Sequence, residues 1–82
     1  MSPSRDTEDT NKTVPAERLI FARNFRKARK AAKLSQRDIT DRAGFAQSFI
    51  SEVETGKSTV NIDNMATLAN VVGVPLWKLL VP

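Results

Sequence analysis

The sequence predicts an all-α domain built from five short helices, and three observations support this prediction. Apolar residues recur at intervals of three and four along most of the chain, which is the spacing of one helix face. Glycine and proline residues interrupt this pattern at distances that suit short helices joined by tight turns. No segment shows the alternating pattern of a strand, and no internal repeat is visible.

The composition limits both the class of protein and its chemistry. The chain has 82 residues, of which 40% are hydrophobic, and this suffices for one compact core without disulfides or bound metal. It contains no Cys and no His, which removes the usual zinc sites and thiol or imidazole catalysis. No apolar run reaches spanning length and the N-terminus lacks a signal-peptide core, so we expect a cytoplasmic protein without membrane contact. We also expect no metal, cofactor or small-molecule ligand.

Residues 1–15 differ in composition from the rest of the chain. They are rich in Ser, Thr, Asp and Pro. Two basic and three acidic residues give this segment a charge of −1, so residues 16–82 carry +5 and the whole chain carries +4. Because so few apolar anchors cannot offset the entropy lost on ordering, we expect a disordered N-terminal arm. One helical domain over residues 16–82 follows it.

The first helix is expected to begin near Pro15, since proline suits the first helical turn, and to end around residues 33–35. Its predicted core face consists of Phe21, Phe25, Ala28 and Ala32. The other faces are strongly basic and carry Arg23, Arg26, Lys27, Lys30 and Lys33. Such a charge run is either a solvated surface or one that attracts a polyanion.

Two helices joined by a sharp turn are predicted over residues 35–56. Ser35 followed by Asp38 has the pattern of a capping box, which starts the second helix. Gly44 makes the turn because it adopts left-handed backbone conformations at low cost, and Gly56 ends the third helix. The residues expected on the two facing inner surfaces are Ile39, Ala43, Phe45, Ile50 and Val53.

Two further helices complete the predicted domain. The fourth begins near Asn61 and ends at Gly73, and its apolar stripe consists of Ile62, Met65, Leu68, Ala69 and Val72. Pro75 starts a short fifth helix, whose apolar residues are Leu76, Trp77, Leu79 and Leu80. One small core cannot cover all of that surface, so we expect it to mediate pairing of two copies. The alternative is that these side chains fold back on the first helix.

The second and third helices have the pattern of a helix-turn-helix motif that reads DNA. The outer face of the third helix is polar and short-chained, and its candidate base contacts are Gln47, Ser48, Ser51 and Glu52. The Gln47 amide suits adenine, and a carboxylate accepts from the amino group of cytosine. Two alternatives stay open: Ser51 serves helix packing, and Glu52 faces solvent. Phe49 is expected to pack rather than to contact a thymine methyl group.

The loop after the third helix supplies groups that bind a DNA backbone. It combines an ammonium group, hydroxyls, backbone amides and a helix start. Together with the start of the second helix, it gives the candidate phosphate contacts Gln36, Arg37, Lys57, Ser58, Thr59 and Asn61. The acidic N-terminal arm is poorly suited to a minor groove, since arms that enter it are normally basic.

Over about residues 20–80 the chain resembles the Cro/CI-type (XRE) helix-turn-helix family. The resemblance rests on Arg29, Ser35, Gln36, Gly44, Ile50, Ser51, Glu54, Gly56, Lys57, Leu68, Ala69, Gly73 and Val74, in that order. It implies a lambda-repressor-like fold and a pairing of Arg29 with Glu54. It also implies that Gln36 contacts a phosphate and that Gln47, which Gln36 can support, enters the major groove. The fifth helix is where this family commonly dimerises.

Two positions depart from the family pattern. Thr40 stands where the family usually has Ala at the close approach of the second and third helices. Ala46 replaces the common Ser or Thr cap of the third helix, and a missing cap costs on the order of 1 kcal/mol. Neither departure is expected to break the fold.

The sequence therefore predicts a homodimeric, sequence-specific DNA-binding regulator that reads a pseudo-palindromic operator, with repression as the simplest output. Two alternatives stay open. One is an antitoxin-type module that binds a protein partner and uses DNA for autoregulation; the other is a restriction-modification controller that activates and represses. An enzyme is least expected, because the residues present cannot assemble a nucleophile, a base and an oxyanion hole.

Overall fold

A computed structural model describes residues 14–82, so residues 1–13, which make up most of the predicted arm, lie outside the described part. Within residues 14–82 there are five α-helices and no strand. The helices are α1 (Ala16–Ala31), α2 (Gln36–Ala43), α3 (Gln47–Thr55), α4 (Ile62–Val72) and α5 (Leu76–Leu79). The prediction of an all-α domain with five helices is confirmed.

Helices α2 and α4 begin at the capping residues that the sequence predicts. The Ser35 hydroxyl accepts the backbone N–H of Asp38 at 3.0 Å, and the Asp38 carboxylate accepts that of Ser35 at 2.8 Å. The hydrogen bond from the Ser35 backbone N–H favours the charged carboxylate and lowers the pKa of Asp38. Asn61 caps α4 by accepting the N–H of Asn64, whereas Ala46 gives α3 no side-chain cap.

The core lies where α1, α4 and α5 pack against one another, with α3 packed on α1 and α2 packed on α4. Its buried apolar residues are Phe21, Ala22, Phe25, Ile39, Ile50, Val53, Val60, Leu68, Ala69, Val72 and Leu79. The rings of Phe21 and Phe25 stack with centroids 5.9 Å apart. Phe49 packs edge-on against Phe45 at 5.2 Å, so the prediction that Phe49 serves packing is confirmed.

Three positions on the predicted apolar faces differ from expectation. Ala32 is exposed because α1 ends at Ala31 and the chain turns away there, while Ala22 is buried on the core face instead. Ile62 is 66% exposed, since it is the first residue of α4 and the buried part of the stripe begins a turn later. Leu79 was predicted to lie on an exposed association surface, but it is a core residue.

The end of α1 is closed by a residue that rarely adopts the required conformation. Lys33 has a φ of 62°, in the left-handed region that usually holds glycine. Its N–H bonds the carbonyl of Lys30, and the N–H of Leu34 bonds that of Arg29 at 3.1 Å. This is the double hydrogen bond of a Schellman motif, and it turns the chain directly into the cap of α2.

Glycine is required at the two turns that frame α3. Gly44 ends α2 with a φ of 82°, which is strained for any residue with a Cβ atom. Gly56 ends α3 with a φ of 77°, and a Cβ atom there would lie 2.7 Å from Cδ2 of Leu19. The left-handed backbone is therefore the main reason for Gly56, because the flexible Leu19 side chain could move away from an added Cβ atom.

Candidate nucleic-acid interface

The four predicted base-contact residues share the exposed face of α3. Gln47, Ser48, Ser51 and Glu52 are all exposed. On the opposite face Ile50 and Val53 are fully buried, which fixes the rotation of α3 about its axis. The helix therefore presents one amide, two hydroxyls and one carboxylate to solvent at its N-terminal end and first turns.

Arg29 and Glu54 connect α1 to the end of α3. The Arg29 Nε and Nη2 atoms donate to the two Glu54 carboxylate oxygens at 2.5 and 3.0 Å, and Nη1 donates to the carbonyl of Leu34 at 2.8 Å. The hydrogen bond with Glu54 raises the pKa of Arg29 above its usual value. Because the side chains are only 11% and 3% exposed, the pair is shielded from water.

Gln36 also contacts Glu54, rather than Gln47, which the sequence suggested as its partner. The Gln36 amide nitrogen donates to Glu54 Oε1 at 3.1 Å. A primary amide has two hydrogens, so this bond leaves one of them for another acceptor. The first residue of α2 is thus oriented by the ion pair between α1 and α3.

Glu52 organises the loop that follows α3. The Ser58 hydroxyl donates to Glu52 Oε1 at 2.7 Å, and the backbone N–H of Lys57 donates to the Glu52 carbonyl at 2.9 Å. The sequence assigned Glu52 to bases and Ser58 to phosphates, but the structure pairs the two side chains. Lys57 and Thr59 are exposed on the same loop, so the loop keeps a cation and a hydroxyl at the surface.

Arg18 is a loop-ordering residue that sequence reasoning missed. Its guanidinium group donates to Thr59 Oγ1 at 2.8 Å and to the carbonyl of Gly56 at 3.3 Å. These partners lie about forty positions further along the chain. The packing of α1 on α3, with Leu19 beside Gly56, brings them together, so no local pattern could have identified the contact.

The C-terminal segment exposes only part of the predicted association surface. Trp77 is 64% exposed and Val81 is 51% exposed, whereas Leu76 and Leu80 are half-buried and Leu79 is 2% exposed. Val81 was not among the predicted residues. The side-chain amide of Asn24 on α1 donates to the carbonyls of Leu79 and Val81 at 3.0 and 2.8 Å, which holds the segment in place.

The sequence matches a known protein family over the helices that form this candidate interface. Residues 22–80 match the model of a helix-turn-helix domain. The chain belongs to the XRE-type helix-turn-helix family. It is therefore a helix-turn-helix transcriptional regulator with a DNA-binding domain, from a family that is typically non-enzymatic. No helix within residues 14–82 is long and apolar enough to cross a membrane.

Individual helix-turn-helix proteins resemble the chain in sequence and in structure. It is 29% identical over 65 residues to the uncharacterized HTH-type transcriptional regulator y4dJ of Sinorhizobium fredii, covering 79% of this chain and 84% of that one. The hypothetical transcription factor NHTF from Neisseria superposes with a TM-score of 0.76 at 27% identity, over 85% and 88% of the two chains. The restriction-modification controller protein C.AhdI from Aeromonas hydrophila gives 0.73 at 28% identity, over 79% and 98%.

Proposed function

We propose that this regulator is a homodimer that reads a pseudo-palindromic operator through the major groove and acts in the cytoplasm as a repressor, including of its own gene. The observation that carries the proposal is the exposed polar face of α3, backed by buried Ile50 and Val53. A helix held this rigidly can present short polar side chains to base edges without losing much side-chain entropy.

Base reading is assigned to Gln47, Ser48, Ser51 and Glu52. Gln47 can form a bidentate pair with adenine N6 and N7, and the two serines are short enough to permit close approach. Glu52 has a second role, because its bond to Ser58 positions the loop in the protein without DNA. Contact with cytosine would require Glu52 to share its carboxylate between the base and Ser58.

Phosphate binding is assigned to the residues that flank α3 on either side. These are Gln36, Arg37, Lys57, Ser58, Thr59 and Asn61. Gln36 has one amide hydrogen left after its bond to Glu54, and Arg18 holds Thr59 in the loop. Cations and amides on both sides of α3 would fix its register on the duplex. Because every DNA sequence has the same phosphates, these contacts would act on all sequences alike.

Pairing of two copies is assigned to the surface around Trp77. Trp77 and Val81 are exposed apolar residues, with half-buried Leu76 and Leu80 beside them. A two-fold contact there would bury the exposed apolar surface and set the two α3 helices about 34 to 36 Å apart, one turn of DNA.

The test is selection of bound sites from a random duplex pool with the purified protein. The expected result is a pseudo-palindrome whose half-sites are centred about 10 base pairs apart. Recovery of no preferred sequence, or of a single asymmetric half-site, would contradict a dimeric operator reader.

The similarity to a restriction-modification controller protein favours a second candidate, a regulator that both activates and represses. The two candidates differ in their effect on transcription rather than in their DNA contacts. Transcription in vitro from a promoter carrying the selected operator, over a series of protein concentrations, separates them. A monotonic fall supports the repressor, and a rise followed by a fall supports the controller.

A further inference from the structure

A basic groove runs between α1 and the C-terminal end of α3, outside the surfaces assigned above. It has a volume of about 400 Å³, and its lining residues are Leu19, Ala22, Arg23, Arg26, Lys27, Lys30, Glu54 and Thr55. All four cations are exposed on one face of α1, and no carboxylate of residues 14–82 lies within ion-pair distance of them. The lining carboxylate, Glu54, is already engaged by Arg29 and Gln36.

The four cations repel one another along the helix. Arg23 and Lys27 are four residues apart, as are Arg26 and Lys30, and like charges at this spacing destabilise a helix. None of these four cations forms a salt bridge within residues 14–82 that would offset the repulsion. A surface that concentrates uncompensated positive charge on one helix face has a high affinity for a polyanion.

The position of the groove identifies which polyanion suits it. At one wall Glu54 is bonded to Gln36, a proposed phosphate contact. At the same wall Thr55 leads through Gly56 into the loop after α3, which supplies the proposed phosphate contacts Lys57, Ser58, Thr59 and Asn61. The groove therefore lies beside residues that adjoin both flanks of the proposed interface.

We propose that this groove, through Arg23, Arg26, Lys27 and Lys30, is an additional binding site for the phosphodiester backbone of DNA. The inference rests on the proposed DNA-reading function and extends it. The site reads no sequence, because its side chains are assigned to phosphates and not to base edges. Its contribution is to affinity for any duplex and to the salt dependence of binding.

The test compares Arg26→Gln with the matched control Arg42→Gln, which removes the same charge from an exposed position on α2 outside the groove. Binding to the selected operator and to a random duplex of equal length is measured over a range of salt concentrations. The plot of log affinity against log salt has a negative slope, which should become less steep by about 0.9 for Arg26→Gln. For Arg23→Gln/Arg26→Gln it should become less steep by about 1.8, on both duplexes. The control should match the wild type.

Thermal melts separate this effect from loss of folding. Removing a repelling cation should leave the melting temperature unchanged or raise it, while DNA affinity falls. Unchanged salt slopes in the groove variants would overturn the proposal. The proposal would also be overturned if Arg26→Gln lost binding to a poly-glutamate probe but kept its affinity for DNA. That result would assign the groove to an acidic protein segment. A wild type without operator preference would contradict the proposed function, but the slopes on the random duplex would still test the groove.

Discussion

Arg29 and Glu54 lie 25 positions apart in the sequence and form a two-pronged ion pair that fixes α1 to the end of α3. Because Gln36 shares the same carboxylate, one residue connects three helices. Helix α3 is thereby held at its C-terminal end by a polar network and along its inner face by the core.

Removal of either partner is expected to destabilise the fold before it affects specificity. Glu54→Ala leaves a shielded guanidinium without its carboxylate, and we expect a loss of about 3 kcal/mol in the free energy of unfolding. Glu17→Ala, at an exposed position on α1, serves as the control and should change stability little. Chemical denaturation measures both; a wild-type free energy in Glu54→Ala, with only DNA binding impaired, would show that the pair is not structural.

The hydroxyl of Thr40 is a second weak point, because it is buried and has no hydrogen-bond partner within residues 14–82. Thr40→Val replaces it with a methyl group of similar shape and should stabilise the protein by about 1 kcal/mol. Thr67→Val is the control, since the Thr67 hydroxyl bonds the carbonyl of Asp63 on an exposed surface. A lower melting temperature for Thr40→Val than for the wild type would mean that the hydroxyl finds a partner in solution.

The capping box predicts a specific dependence of stability on pH. The Asp38 pKa lies below its ordinary value of 3.8 in the folded protein, so the cap stabilises the fold above that pH and the stabilisation is lost as pH falls through the folded pKa. Asp38→Asn should therefore be less stable than the wild type at neutral pH, and the difference should shrink on acidification below 3.8. Denaturant titrations over that range test it; a difference independent of pH would exclude the carboxylate as its source.

The association surface can be tested at Trp77, whose exposure permits substitution without disturbing the core. Trp77→Glu places like charges across a two-fold contact, and we expect a folded monomer with poor operator affinity and retained weak non-specific binding. Sedimentation equilibrium with circular dichroism measures assembly and folding together. Leu79→Glu is the contrasting variant, because Leu79 is buried and its replacement should unfold the domain. A dimeric Trp77→Glu protein would place the interface elsewhere.

Most of the fold could be predicted from the sequence because its determinants are local. The capping box at Ser35, the left-handed turn at Gly44 and the apolar spacing of α1 each lie within a few residues, and all three are present in the structure. The burial of residues near the helix ends was less predictable. Periodicity placed Ile62 on an apolar face and Leu79 on an exposed surface, whereas their actual exposure depends on what packs against them.

The candidate site could be predicted only as a set of positions. The face carrying Gln47 follows from helix geometry, and it is exposed as expected. The bonds of Arg18 to Thr59 and of Ser58 to Glu52 depend on how α1 and the loop after α3 pack. No spacing rule relates these partners, so the polar network that orients the interface was visible only in three dimensions.

The most direct test of the DNA-reading account is the affinity of Gln47→Ala and Lys57→Ala for the selected operator and for a random duplex at one salt concentration. The account predicts that Gln47→Ala loses about 1 to 3 kcal/mol on the operator alone and relaxes preference at one base position. Lys57→Ala should weaken binding to both duplexes equally, since the account assigns Lys57 to phosphate rather than to bases. Equal losses on both duplexes for Gln47→Ala would remove this residue from the base contacts and contradict the assignment of α3 as the reading helix.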